Sequence, residues 1–330
     1  MNNPVSELND AQVWSMYWSQ GQRESCLAAN SDADQKELQA LWRGVLTDIP
    51  KRARVLDLAC GNGAVAHVIN ETRPDLSIDA IDKSDIKPID QQGSNQSDTD
   101  SNLVFHSQID ILKLPTRFTD YDLICSQFGI EYAGLARVAE QLATRLNKGG
   151  QLLCLVHHSE GDLYTSTQKK LSEYTILEGY KLLDLLEARI IVTTGDGEDK
   201  KLHAEQNLER AGHNYMALGT GTKPISGSLF AAIGQILTCA QKNITEAQRL
   251  LDALRLKIAA EQSRLQQMVS AAQDKDQITQ FIKILESQGF SQCEATPFYV
   301  GEENSKYLLA WQCHAVFCLL YTSPSPRDRG

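Results

Sequence analysis

Residues 54–63 read R-V-L-D-L-A-C-G-N-G, and no other stretch constrains the fold as strongly. Val55, Leu56 and Leu58 form the short, β-prone apolar run of a buried parallel strand, and Gly61 and Gly63 end it in a tight turn. Residues 64–70 (A-V-A-H-V-I-N) then take helical spacing. A strand, a glycine turn and a helix in this order let a ligand approach the backbone closely, and the helix start offers free N–H groups and the favourable end of its dipole. The expectation is a nucleotide site. An acidic residue about 20 positions on, at the tip of a second strand, suits ribose hydroxyls. Residues 76–81 (L-S-I-D-A-I) supply that strand and Asp82 its tip.

The pattern is D-x-x-x-G-x-G, without the third glycine of the dinucleotide fingerprint and with Asp57 on the strand before the turn, so a smaller nucleoside fits better than a nicotinamide cofactor. It resembles the first motif of the class I S-adenosylmethionine-dependent methyltransferases, a D/E-x-G-x-G-x-G-like run in which Ala59 stands for the first glycine. Three later segments extend the resemblance. Asp110-Ile111 with Leu114-Pro115 matches the family's acidic-plus-apolar segment. Lys148-Gly149-Gly150 resembles its L-x-P-G-G corner, with lysine where proline is usual. The ending Gln288-Gly289-Phe290, then strands at 291–299 and 307–314 around a turn at 301–305, is similar to the family's closing hairpin.

The resemblance implies an α/β fold: a Rossmann-like, doubly wound, mostly parallel sheet with a C-terminal antiparallel hairpin. It also implies S-adenosyl-L-methionine as cofactor. Asp57, Gly61 and Gly63 would hold the methionine end and the turn, with Ala59, Cys60 and Asn62 in the same loop; Asp82 and Lys83 would face the ribose, and Asp110 with Ile111 the adenine. On the residues alone Asp110 reads equally as a helix cap or turn residue. Ser126 and Gln127, at the end of a fourth strand, are further candidates in the same cleft.

At 330 residues with 42% hydrophobic content the chain has material for a real core. A net charge of −10 and a pI near 5.2 disfavour a protein that mainly grips phosphate backbones, and the pairs Lys169-Lys170 and Lys200-Lys201 are too short to argue otherwise. Eight cysteines without a C-x-x-C read as reduced, small core residues. The histidines at 67, 106, 203, 213 and 314 show no ligand spacing, so no metal is expected. No charged-then-apolar leader opens the sequence, and the apolar run 310–321 is short and broken by Gln312 and His314. A cytoplasmic protein without a membrane span is the expectation.

Five regions follow: an N-terminal helical cap (1–50), the nucleoside-binding core (51–156), a helical insertion between strands 5 and 6 (157–288), completion of the sheet (289–317) and a tail (318–330). The first ten residues are polar and expected to be mobile. Trp14, Tyr17 and Trp18 lie at helical spacing in 13–20; that helix either pins itself to the core or closes over the cofactor. Leu38, Leu41, Trp42 and Val45 share a face of a helix at 34–46. Residues 84–102, polar and containing Pro88, read as a long mobile loop where a crossover helix is usual. Strands follow at 103–106, 120–126 and 151–156, with an amphipathic helix at 131–147 that Lys148-Gly149-Gly150 closes. The insertion reads as helices at 165–188, 201–216, 229–242 and 244–273, with a hinge at the glycine-rich 219–227 and a further helix at 276–288. Leu251, Leu254, Ile258, Leu265 and Met268 form a seam that Glu261 interrupts, which favours a helical hairpin over an extended coiled coil and leaves a helix-mediated homodimer open. The tail C-L-L-Y-T-S-P-S-P-R-D-R-G resembles translated sequencing adapter; it is expected to be non-native and to add no packing.

Methyl transfer from a sulfonium is an in-line displacement with an activated leaving group, so the protein mainly aligns the nucleophile, excludes water and removes a proton where there is one. His157 and His158 end the fifth strand, where neighbouring side chains point to opposite faces and only one enters the cleft. Either is a candidate base or a structural histidine, and Glu131 and Tyr132 compete for the same role or start a helix. The leading expectation is methylation of a small-molecule acceptor. The alternatives are methylation of tRNA or protein docked on the insertion, or a non-catalytic protein that binds the nucleoside and pairs with a partner through its helices.

Overall fold

A computed structural model of the chain describes residues 8–22, 32–88, 102–192, 197–218 and 225–318. Val55, Leu56 and Leu58 are wholly buried and lie in β1 (Arg54–Leu58), inside a seven-stranded sheet ordered β3-β2-β1-β4-β5-β7-β6. The other strands are β2 (Ser77–Ile81), β3 (Leu103–His106), β4 (Tyr121–Gln127), β5 (Leu146–His157), β6 (Phe290–Val300) and β7 (Tyr307–Phe317). Neighbours from β3 to β5 pair in parallel, whereas β7 runs antiparallel to both β5 and β6. This is the Rossmann-like, mostly parallel sheet with its closing hairpin. The winding reverses between β1 and β4, so a crevice opens outside their carboxyl ends.

Strand alternation sorts the side chains onto two buried faces. Leu56, Leu58 and Val156 join one apolar cluster with α4 (Leu135–Leu142) and α10 (Lys275–Ser287). Val55, Leu153 and Leu155 join the other with α2 (Asp32–Val45) and α3 (Ala64–Thr72). Asp57 and His157 share the parity of this second set. Toward β2 and β3 the first face carries a polar network: Tyr121 Oη donates to Asp79 (2.7 Å), His106 Nε2 lies 2.9 Å from it, and Arg54 pairs with it at 3.2 Å.

Two helices depart from their expected form. In place of one helix over 131–147 there is a 3-10 turn (Ile130–Ala133), Gly134 at φ +86°, and α4. Strand β5 then starts at Leu146, because Tyr121 N–H bonds Arg145 O (3.0 Å) and Tyr121 pairs with Leu146. Lys148-Gly149-Gly150 therefore lies inside β5. The expected helix over 165–188 divides into α5 (Asp162–Gly179) and α6 (Leu182–Ile191), since Lys181 takes a left-handed conformation at φ +52°.

The contacts divide the chain into two units: Met1–Val13 with Ser166–Gln267, and Trp14–Thr165 with Met268–Gly330. The first, helical unit holds α6, α7 (Glu198–Ala217), α8 (Ser226–Ala240) and most of α9 (Ile244–Ala271) around its own core, which includes Leu186, Ile190, Tyr215, Ile233 and Leu251. Glu261 makes a two-pronged ion pair with Arg264 (2.7 and 2.9 Å), which satisfies the charge that interrupts the α9 seam. No described helix is long and apolar enough to cross a membrane. Residues 1–7, Cys26, residues 89–101 of the expected loop, 219–224 of the expected hinge and 319–330 of the tail lie outside the described residues.

Candidate functional site

After β1 the backbone enters the left-handed region three times, at Ala59 (φ +53°), Gly61 (φ +52°) and Gly63 (φ +89°). Cys60 N–H bonds Ile81 O (3.0 Å), which ties the turn to the end of β2. Asp82 then receives the Gly61 N–H at one carboxylate oxygen (2.9 Å) and the Ser84 N–H at the other (2.8 Å). Each oxygen keeps lone-pair capacity for a further donor. Burial pushes the Asp82 carboxyl up from its ordinary range, and the two N–H bonds offset part of that rise.

Asp57 lies beneath this turn, 1% exposed, and neither of its oxygens makes a well-formed hydrogen bond. Burial is the main cause that carries its pKa to about 8; Asp82 adds to the rise, and the Ala66 N–H and Cys125 thiol only partly counter it. A buried carboxylate without a strong donor is costly, and a cation or N–H donor placed beside it would relieve that cost.

Aromatic rings lie over both glycines. A Cβ added to Gly61 would come within 2.4 Å of the Trp18 ring, and one on Gly63 within 2.5 Å of Phe105. Asn62 fastens the Trp18 segment in place: its amide donates to Trp18 O (3.0 Å) and Gln22 O (2.6 Å), while its oxygen accepts the Lys87 N–H (2.8 Å). Trp18 belongs to α1 (Asp10–Trp18), and sequence reasoning placed it in an aromatic stripe without fixing what the stripe covers. Phe105 and Ser84 carried no motif signal.

Asp110 caps the 3-10 turn Ile111–Lys113 by accepting the Leu112 N–H (2.9 Å), and its other oxygen pairs with Lys83 at 3.3 Å. Ile111 is buried in the core cluster beside it. Ser126 and Gln127 are engaged elsewhere. Ser126 Oγ donates to Leu58 O (2.8 Å), which cross-links β4 to β1, and Gln127 Oε1 accepts from Trp42 Nε1 (2.7 Å).

The crevice beyond β4 and β5 gathers three of the four candidate catalytic residues. Glu131 Oε1 accepts the His157 backbone N–H (3.0 Å) and lies 3.9 Å from His157 Nε2; Glu131 Oε2 makes no hydrogen bond. Tyr132 Oη lies 3.1 Å from His157 Nε2. Burial lifts the Glu131 carboxyl to about 7, against its bonds to the His157, Glu131 and Gly129 N–H groups. Phe128 (φ +57°) stacks on His157 at 4.6 Å, and Trp14 meets Tyr132 edge-on at 5.4 Å. His158 faces the other way: it stacks on Trp311 at 4.3 Å, its Nδ1 accepts the Glu160 N–H (3.0 Å), and burial lowers its pKa. Strand alternation thus admits one histidine to the Glu131–Tyr132 cluster, as expected.

This set of acceptors fits a nucleoside carrying a cationic amino-acid tail: a buried carboxyl with only weak partners below a glycine turn, a second carboxylate with spare acceptor capacity at the β2 tip, and an acid beside a buried apolar residue. Among the described residues no group of three or more His, Cys, Asp or Glu could hold a metal ion.

Residues 49–212 match the family model described as "Methyltransferase domain". No curated protein matches the chain. Among solved structures it is similar to a complex between the Haloferax volcanii Trm112 methyltransferase activator and a methyltransferase, with 21% identity over 44% of this chain and 60% of that one, TM-score 0.33. It is similar to a possible exported protein from Bordetella parapertussis, with 13% identity over 92% and 78%, TM-score 0.41. It is also similar to Haemonchus contortus phosphoethanolamine N-methyltransferase 1 in complex with phosphoethanolamine and S-adenosylhomocysteine, with 20% identity over 44% and 31%, TM-score 0.33. The chain thus spans less than two thirds of the first and third of these. The family match takes in the glycine turn, Asp82, Asp110 and the Glu131–Tyr132–His157 cluster, so residues 49–212 match a methyltransferase domain laid on a Rossmann-like sheet.

Proposed function

We propose that the protein moves the methyl group of S-adenosylmethionine to a small-molecule acceptor. The observation that carries the cofactor half is Asp57, a carboxylate buried beneath the glycine turn without a strong donor, with Asp82 held at the neighbouring strand tip by the turn's own N–H. In this reading Asp57 receives the ammonium of the methionine tail. The backbone from Ala59 to Gly63 lines the turn, Asp82 accepts ribose hydroxyls beside Lys83, and Asp110 with Ile111 receives the adenine. Ser126 and Gln127 shape the crevice from behind, since their side chains already bind Leu58 and Trp42. Bound there, the sulfonium supplies an activated methyl carbon; the protein's part is to orient the acceptor, exclude water and accept a proton.

Trp18 lies against Gly61, so a ligand that reaches the turn has to displace this ring or run along it. The acidic balance of the chain supports a small acceptor over a polyanion, because a net charge of −10 repels phosphate backbones. Titration calorimetry with S-adenosylhomocysteine tests the reading. The expected result is micromolar binding to the wild type, lost in Asp82→Ala while the circular dichroism of the sheet is kept. Absence of binding to well-folded wild type overturns it.

A further inference from the structure

His157 is 1% exposed, with Phe128 stacked on its ring and Tyr132 against its edge (5.8 Å between ring centres). An imidazole enclosed in this way is poorly placed to touch an acceptor itself. Tyr132 is half-buried, and its hydroxyl is within hydrogen-bonding distance of His157 Nε2. Glu131, its side chain wholly buried, approaches the same nitrogen, with Oε1 3.9 Å from Nε2, and accepts the backbone N–H of the histidine. The tyrosine hydroxyl and the carboxylate thus meet the imidazole at one nitrogen, the hydroxyl from a half-buried residue and the carboxylate from the interior.

We infer that Tyr132 Oη is the atom that takes the acceptor's proton, and that His157 and Glu131 form the buried relay that receives and balances it. This rests on the methyltransferase reading and narrows it: the acceptor is a nucleophile that carries an ionisable O–H or N–H, not a thioether or a tertiary amine. The acceptor's proton passes to Tyr132 Oη as the tyrosine's own proton passes to His157 Nε2. The acceptor's freed electron pair forms the new bond to the methyl carbon, and the pair of the broken carbon–sulfur bond stays on sulfur. One positive charge leaves the sulfonium and one appears on the imidazolium, so the charge is conserved. The imidazolium forms 3.9 Å from Glu131 Oε1, so its charge and the ionised form of that carboxyl favour each other. Glu131 is therefore a positioning residue that also stabilises charge; it does not meet the acceptor. The Cys154 thiol, raised first by its hydrogen bond to Cys313 and by burial, also faces the Glu131 charge and stays protonated.

The relay requires that resting His157 carry its proton on Nδ1 and accept the Tyr132 O–H at Nε2. Nitrogen-15 spectra of the imidazoles read this without any acceptor. The expected result is the Nδ1–H tautomer in wild type, a changed Nε2 signal in Tyr132→Phe, and binding of S-adenosylhomocysteine within threefold of wild type in that variant. In Glu131→Gln the pH at which His157 becomes imidazolium should fall by about one unit. A wild-type His157 protonated at Nε2 overturns the relay, because that nitrogen is then a donor and cannot receive the proton. An unmoved titration in Glu131→Gln removes Glu131 from it. If the spectra are as expected but S-adenosylhomocysteine does not bind, the methyltransferase reading fails and the Tyr132–His157 hydrogen bond remains.

Discussion

Ala59 holds φ at +53° where the resembled motif has glycine. A left-handed conformation costs an L-residue about 1–2 kcal/mol, while glycine loses about 0.5–1 kcal/mol more backbone entropy on folding. Ala59→Gly is therefore expected to stabilise the protein by about 0.5–1 kcal/mol. The alanine methyl has a close neighbour: a Cβ built on Gly129 comes 2.4 Å from it and 3.0 Å from Ser126 Oγ. Gly129→Ala should then cost about 1–3 kcal/mol through overpacking. The double variant should lose less than the two singles summed, by about 1 kcal/mol, because the colliding methyl has gone. Urea denaturation of the four proteins checks this, and additivity would mean that the two loops do not press on each other. The turn was legible in the sequence because glycine spacing reports backbone conformation directly. The strain at Ala59 and at Phe128 was not, since neither residue advertises a positive φ.

At the scale of elements, legibility followed periodicity. Helices expected at 201–216 and 229–242 match α7 and α8 within a few residues, whereas the breaks at Gly134 and Lys181 interrupt periods that continue on both sides. Partners far apart in sequence leave no trace either: Gln127 meets Trp42 across 85 positions, and nothing at the strand tip announces that bond. Helix α8 shows the same limit. Its N-cap residue, Ile225, offers no side-chain oxygen, and the start of the helix is capped by Glu173 from α5. Glu173 accepts the Ile225 N–H (3.0 Å), the Ser226 N–H (3.2 Å) and the Tyr215 hydroxyl. A buried carboxylate at a helix start combines charge-assisted bonds with the helix dipole. Glu173→Ala should destabilise the helical unit by about 2–3 kcal/mol. Hydrogen exchange should show the first turn of α8 losing protection while β1 and β4 keep theirs; unchanged protection at Ser226 would mean that other groups cap the helix.

For the whole molecule the buried acids set how stability depends on pH. Burial is the main cause that raises Asp57 to about 8 and Glu131 to about 7, whereas both titrate near ~4 in an unfolded chain. Between those values the folded protein holds protons that the unfolded chain has released, so stability falls as pH rises. The loss begins above about pH 4 and is complete for Glu131 once pH passes about 7 and for Asp57 once it passes about 8. Each group contributes a slope of up to about 1.4 kcal/mol per pH unit inside its window. The net charge of −10 acts in the same direction, because deprotonation adds to an existing repulsion. Urea midpoints should therefore be higher at pH 5.5 than at pH 8, and Asp57→Asn and Glu131→Gln should each flatten the difference, since all other titrations are shared with wild type. Ligand binding separates the site from the fold. An ammonium placed beside Asp57 favours its ionised form, so S-adenosylhomocysteine should release a proton on binding between pH 6 and 7, measurable by calorimetry in two buffers of different ionisation enthalpy. Asp57→Asn should abolish that release. A pH slope that survives in wild type without proton release would leave Asp57 as a cost of the fold and take it out of contact with the ligand.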